Sequence, residues 1–333
     1  MWQVLLIILL LIIGLVLIIK GGDYFVDGAS WLAEVSGIPK FIVGATIVSI
    51  ATTLPEIVVS LISAKAEPDM AIGNAVGSVV FNSGVIMAIA LITSPFIIKR
   101  KDYAFKGILL TTVIALLTAF CFIGVNSTPI TFETTATFGY VGAVVLLILF
   151  VVFIVENVMS AKKNASEQKE EDKIVATKKT IILNLVKLIV GAGGIAAGAI
   201  LLKDNAVKLA TLAGISQAVI GVTILAIGTS LPELVTMIIA VKKGEASLSI
   251  GNIIGANTID LAIILPLSAF IAGGNGLFVS NIHLLLTMPV TLLVIAIAII
   301  PTLIFKKFSR WQGVLMFSIY LAYFIFNILY VIL

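Results

Sequence analysis

Glu56, Glu233 and Asp260 are carboxylates set inside long apolar runs. On insertion scales a charged side chain at the centre of a membrane helix costs about 2.5–3.5 kcal/mol, so three cost on the order of 8–10 kcal/mol. No Lys or Arg lies at matching depth to neutralise them. The positive charge must come from elsewhere, most simply from a bound cation or from protons. The competing reading is three protonated carboxyls bonded to one another or to backbone. It needs an unpaired structural acid at the same place twice, because Glu56 and Glu233 close matching stretches, ATTLPE (51–56) and GTSLPE (228–233).

The neighbours of these acids carry the same chemistry. Pro55 and Pro232 have no N–H, so the helix bonds to the carbonyls of Ala51 and Gly228 are lost. The backbone is expected to break one turn before each glutamate. Such breaks persist at membrane depth where they line a cavity, and unwound carbonyls are common cation ligands. A plain proline kink explains either site alone; a proline before a buried glutamate in both favours a binding site. Hydroxyls gather at the same points, Thr52 and Thr53, then Thr229 and Ser230. Ser78 precedes Asn82 by one turn and Asn257 lies three before Asp260, so each pair shares a helix face. A lone Ser or Thr in a membrane helix usually bonds its own backbone; here they recur beside acids in paired positions. Gly73 with Gly77, and Gly251 with Gly255, have the spacing that lets helices approach closely, and are expected to bring these helices against the glutamate-bearing ones. Every donor is oxygen, which suits hard cations, Ca²⁺ or Na⁺, over Zn²⁺ or Cu⁺. Three carboxylates balance one Ca²⁺ with a retained proton, or three Na⁺.

The elements that must position these groups are membrane helices. Of 333 residues, 60 % are hydrophobic and 11 % charged, against about 45–50 % and about 25 % in a soluble chain. That leaves too few charges to cover a water-facing surface. The net charge of +4 sits in short clusters between apolar runs, with no aromatic-interleaved basic stripe, so nucleic acid is not an expected partner. The single histidine, His283, excludes a multi-histidine zinc site and leaves no base for a serine nucleophile, so enzymatic chemistry is not expected. The single cysteine, Cys121, excludes an intramolecular disulfide.

Ten runs have the length of about 20 residues that spans a bilayer: 2–19, 41–64, 70–94, 105–125, 138–156, 180–202, 217–241, 247–272, 284–305 and 312–332. The first lacks a basic segment before it and is followed by Lys20, so it reads as a retained helix rather than a signal peptide. With the N-terminus outside, 18 Lys and Arg fall on the cytoplasmic side and only Lys65, Lys203 and Lys208 outside, a strong positive-inside bias. Both termini are expected to be extracellular. The polar stretch 160–180 reads as a solvated cytoplasmic linker between a first five-span unit, 1–159, and a second, 181–333.

The two units resemble each other. Segment 37–66 aligns with 214–243 at an offset of 177, with Gly37/Gly214, Gly44/Gly221, Thr46/Thr223, Thr52/Thr229, Leu54/Leu231, Pro55/Pro232 and Glu56/Glu233 identical. AIGNAVGSVVFN (71–82) aligns with SIGNIIGANTID (249–260) at 178, and Asp27 pairs with Asp204. Five spans per unit is odd, so the copies cross in opposite directions. The expected fold is an all-α polytopic membrane protein of ten transmembrane helices in two inverted-topology five-helix repeats, an arrangement typical of secondary transporters with a midplane site.

At these residues the sequence resembles the cation/Ca²⁺ exchanger superfamily, and its prokaryotic sodium/calcium exchangers most. GATIVSIATTLPE with GNAVGSVVFN, and GVTILAIGTSLPE with GNIIGANTID, are similar to that family's paired repeats. The resemblance implies that Glu56, Asn82, Glu233 and Asp260 are the central cation ligands. It implies flanking ligands at Thr52, Thr53, Ser78, Thr229 and Ser230, with the carbonyls of Ser49 and Ala226. It implies Na⁺/Ca²⁺ antiport across the cell membrane by alternating access, the first and sixth helices sliding over the rest, with Ca²⁺ and Na⁺ as substrates. Neither a nucleotide, a cofactor nor an obligate protein partner is implied. H⁺/Ca²⁺ exchange and K⁺-dependent Na⁺/Ca²⁺ exchange are the alternatives. The sequence departs from the family at Ala51, where Gly is usual, and at Ala256, where Ser would bring an oxygen to one Na⁺ site. An acid at the position of Asp260 also occurs in K⁺-dependent relatives.

Overall fold

The computed structural model describes residues 2–95, 100–126, 129–167, 177–213 and 226–332. In chain order its helices are α1 (Trp2–Ser36), α2 (Lys40–Thr52), α3 (Leu54–Ala66), α4 (Pro68–Thr93), α5 (Arg100–Ile123), α6 (Tyr140–Glu167), α7 (Lys178–Leu212), α8 (Ala226–Thr229), α9 (Leu231–Lys242), α10 (Ala246–Ala272), α11 (His283–Phe305) and α12 (Arg310–Ile332). Between α5 and α6, and between α10 and α11, the chain forms one antiparallel ribbon, β1 (Ala136–Phe138) with β2 (Leu277–Val279), a small departure from the all-helical expectation.

Among the described residues eight helices are long and apolar enough to cross a membrane, nine if the bent pair α2–α3 is one span. The chain is a multi-pass membrane protein. The expected run 217–241 begins in residues 214–225, outside the described residues; its second half is α8 and α9. Two helices outrun their apolar stretches. α1 and α7 are each 35 residues long, because Lys20, Asp23 and Asp27, or Lys203 and Asp204, end a membrane span without ending a helix. α1 stops at Gly37, whose φ of 67° suits a residue without a Cβ. α6 likewise runs into the expected linker as far as Glu167, since Ala161, Lys162, Lys163 and Ala165 are good helix formers. α7 starts at Lys178, and residues 168–176 lie outside the described residues.

α4 and α10 form the centre, with 78 % and 83 % of their apolar windows buried, while α1, α7 and α12 bury only 22 %, 28 % and 17 %. α1 and α7 pack chiefly on each other through small residues. Gly14, Gly21 and Gly28 of α1 meet Gly198, Gly191 and Leu188 of α7. A Cβ on Gly21 would lie 2.7 Å from the Ile195 nitrogen and 2.8 Å from the Gly191 oxygen, so the two backbones touch. One half of α1 also packs on the core, where Ile18, Phe25, Val26 and Ala29 join Val43, Val48, Ile239 and Leu248.

One charge is placed differently from its sequence reading. Lys106, one of the 18 basic residues counted to the cytoplasmic side, is fully buried between α5 and α6, with Nζ 2.6 Å from Glu156. Glu156 is 21 % exposed and also accepts a 2.5 Å bond from the Ser160 hydroxyl.

Candidate functional site

The two proline-glutamate elements break as their chemistry requires. Thr53, at φ −83° and ψ −2°, separates α2 from α3, and the two axes differ by 49°. Ser230, at φ −89° and ψ 11°, separates α8 from α9. Pro55 and Pro232 sit second in the new helices, where a missing N–H does no harm. Glu56 and Glu233 follow in the first turn, at the positive end of each helix dipole. Two further backbone features carry no mark in the sequence. π-helical turns run over Asn82–Met87 and Asp260–Ile264, each opening on a site residue; such turns recur at functional positions.

These elements bury the sequence-predicted side chains in the interior. Glu56, Asn82 and Glu233 are each 1 % exposed and Asp260 is 0 % exposed. Ser49, Thr52, Thr53, Ser78, Thr229 and Ser230 are buried too. Glu56 stands near enough to Glu233 and Asp260 for the three carboxylates to interact electrostatically. Both carboxylate oxygens of Glu56 and of Asp260, one of Glu233, the Asn82 carbonyl oxygen and the Ser78 and Ser230 hydroxyls have no hydrogen-bond partner among the described residues. Leaving one such group unpaired costs about 1–3 kcal/mol, and more when it is charged. Buried oxygens of this kind are suited to serve as donors to a cation. Among the described residues no three of His, Cys, Asp and Glu converge tightly enough to hold a metal by themselves. A cation placed here would have to take carboxylates together with amide and hydroxyl oxygens, as hard cations do.

The rest of the site is tied across the two halves. The Thr52 hydroxyl donates to Asn252 Oδ1 at 3.2 Å, and its repeat equivalent Thr229 donates to Asn74 Oδ1 at 3.3 Å. Thr53 donates to Glu233 Oε1 at 3.4 Å. Asn82 donates to Asn257 Oδ1 at 3.1 Å, and Asn257 donates to Ser83 at 2.9 Å. Asn74, Asn252 and Ser83 were not among the sequence-predicted site residues. The signal for the two amides was present, since a Gly-Asn pair recurs at 73–74 and 251–252. The Ser49 carbonyl is engaged by the Thr53 amide at 3.0 Å and the Thr52 hydroxyl at 3.4 Å, so it is not simply unwound. Ala226 opens α8. The repeat matches Gly214, Gly221 and Thr223 lie outside the described residues.

The glycines divide. A Cβ on Gly255 would sit 2.5 Å from the Ser49 hydroxyl and 2.6 Å from the Ala45 oxygen, so α10 presses on α2 as expected. Gly73 instead has His283 against it, with Nε2 2.9 Å from a built Cβ. His283 lines a cavity of about 490 Å³ together with Glu67, Asp69, Asn74 and Gly77. Asn74, which lines it, accepts from the Thr229 hydroxyl at 3.3 Å.

Residues 6–159 and 183–329 match the family model described as sodium/calcium exchanger protein. An uncharacterized membrane protein of Methanocaldococcus jannaschii is 32 % identical over 93 % of this chain and 94 % of its own length. Sodium/calcium exchanger MaX1 of Methanosarcina acetivorans is 30 % identical over 95 % and 96 %. Among solved structures, the sodium-calcium exchanger NCX_Mj soaked with Na⁺ and Sr²⁺ superposes with a TM-score of 0.78 at 30 % identity, covering 96 % of this chain and 98 % of that one.

Proposed function

Because the chain belongs to the sodium/calcium exchanger protein family, we propose that it is a secondary antiporter exchanging Na⁺ for Ca²⁺ by alternating access. Ten helices in two inverted five-helix repeats carry it, with both termini outside the cell membrane. In support of the repeat, the break-Pro-Glu element and the π turn each occur at equivalent positions. Glu56, Asn82, Glu233 and Asp260 are the central ligands. Thr52, Thr53, Ser78, Thr229, Ser230 and the backbone at Ser49 and Ala226 flank them.

The observation that carries this reading is the set of buried oxygens on Glu56, Asn82, Glu233 and Asp260 that have no partner. Three acids in a low-dielectric interior are costly to leave bare, so the protein changes conformation only when ions have neutralised them. That makes exchange obligatory without a nucleotide or any covalent step, and the protein acts as a carrier rather than an enzyme. Na⁺ and Ca²⁺ share a preference for oxygen donors, so each displaces the other from one place.

The test is Ca²⁺ uptake into proteoliposomes loaded with Na⁺, against matched vesicles loaded with choline at equal pH and without K⁺. Uptake only with internal Na⁺ is expected. Uptake that ignores Na⁺ and follows an imposed pH gradient would overturn the Na⁺ assignment in favour of proton coupling, the alternative that Ala256 supports by bringing no oxygen beside Asn257. Uptake that appears only when K⁺ is added assigns the K⁺-dependent reaction.

A further inference from the structure

An antiporter of two inverted halves has no intrinsic preference for either face unless the halves differ, and here they differ in their ionic contacts. At the end that the lysine distribution assigns to the cytoplasm, α1 is tied to the core twice. Lys243, directly after α9, has Nζ 2.7 Å from Asp27 and 3.3 Å from Asp23, and donates to the Asp23 carbonyl at 3.0 Å. Lys40, opening α2, has Nζ 2.9 Å from Glu34 of α1 and 2.6 Å from Glu245, just before α10.

The internal repeat says where the counterparts would stand at the outer end. The offset of 177 carries Asp27 to Asp204, Lys243 to Ala66 and Lys40 to Gln217. The acid is kept and both lysines are gone. Among the described residues the ion pair of Asp204 is with Lys203, its own neighbour on α7, at 3.4 Å. α1 is thus pinned across to α9, while the equivalent acid of α7 makes no ion pair with α3. The pinned half of α1 is the half whose Ile18, Phe25, Val26 and Ala29 cover Val48 and Ile239, and Val48 adjoins the Ser49–Thr52 segment of the site.

We propose that Lys243 with Asp23 and Asp27, and Lys40 with Glu34, form a one-sided latch that holds the cytoplasmic end of α1 on the core and sets the sidedness of exchange, favouring the conformation open to the outside. The proposal rests on the exchange reading above. The lysines are positioning residues, acting on the site only through α1. Partly exposed pairs are individually weak, which suits a latch that opens once per cycle. Together they shift a two-state balance by about three- to tenfold.

The test uses right-side-out and inside-out membrane vesicles containing the full chain, measuring the KM for Ca²⁺ at each face in Na⁺-driven flux. Lys243→Gln is expected to lower the ratio of cytoplasmic to external KM about three- to tenfold while the maximal rate is held or raised. The charge exchange Asp27→Lys with Lys243→Asp is expected to restore the ratio. Ala66→Lys removes nothing and supplies a lysine at the repeat position equivalent to Lys243; it is expected to lower the ratio as well. Spin labels at Tyr24→Cys and Lys242→Cys, on a Cys121→Ala background, report the α1–α9 distance without any flux, and Lys243→Gln is expected to add a second, longer population. An unchanged KM ratio in both lysine variants alongside normal Na⁺-driven flux, or an unchanged distance distribution, overturns the latch. Loss of Na⁺ dependence in the unmodified protein overturns the exchange reading instead, and the distance measurement still decides whether the latch exists.

Discussion

Replacing Glu56 or Glu233 by Gln keeps the shape of the side chain and removes its charge, which separates binding from folding. Removing one partner from a buried charge pair costs about 3–5 kcal/mol. Ca²⁺ affinity in either variant is therefore expected to fall at least a hundredfold by calorimetry, with helical circular dichroism unchanged. Retained affinity in Glu56→Gln would sink the assignment of that carboxylate. The amides make a finer test. The Thr52 hydroxyl bonds Asn252 across the two halves, so Thr52→Val and Asn252→Ala should each destabilise by about 0.5–1.5 kcal/mol, and the double variant by little more than either. The acids were legible in the sequence because a carboxylate in an apolar run is conspicuous. Asn74 and Asn252 left only a recurring Gly-Asn pair as their mark, because an amide gains its meaning from a partner some 150 to 200 residues away, and only the fold brings the two together.

Helices place these groups, and their contacts predict which glycines tolerate a side chain. Gly255→Val drives methyl groups into the Ser49 hydroxyl and the Ala45 carbonyl; overpacking of this kind costs about 1–3 kcal/mol and pushes α2 and its break away from Asp260. Gly193→Val on α7 meets nothing within 4 Å. Thermal unfolding in detergent is expected to separate the two, with transport lost in the first and kept in the second; equal behaviour would mean that α10 and α2 are not held at this distance. The proline breaks could be read in advance because a missing N–H is a property of one residue. The π turns at Asn82 and Asp260 could not, since they add a residue to a helical turn without any change in residue type. Nor could the true length of α1 and α7. An apolar run measures how much helix lies in lipid, whereas helix ends are set by groups such as Gly37 at positive φ.

For the whole molecule, a site of orphaned oxygens at its centre couples ion binding to stability. Any ion that binds the folded protein and not the unfolded chain stabilises it, by about 2.7 kcal/mol at a hundred times its dissociation constant. Ca²⁺ is expected to raise the unfolding temperature, and Na⁺ to do so at higher concentration. Mg²⁺ should do little, because it gives up its waters reluctantly and demands a tight octahedral shell, whereas the donors here are spread over α3, α4, α9 and α10. The variant carrying Glu56→Gln, Glu233→Gln and Asp260→Asn removes the three buried charges. Without ions it is expected to unfold at a higher temperature than the unmodified protein, and to show no further rise with Ca²⁺. An equal rise with Mg²⁺ and Ca²⁺, or a Ca²⁺ response that survives in the triple variant, would move the stabilising ion to the surface. The opposite signs are what make this informative: the same three carboxylates that weaken the empty fold are the ones that make it respond to the ion, and a site kept only for structure would have no reason to carry them.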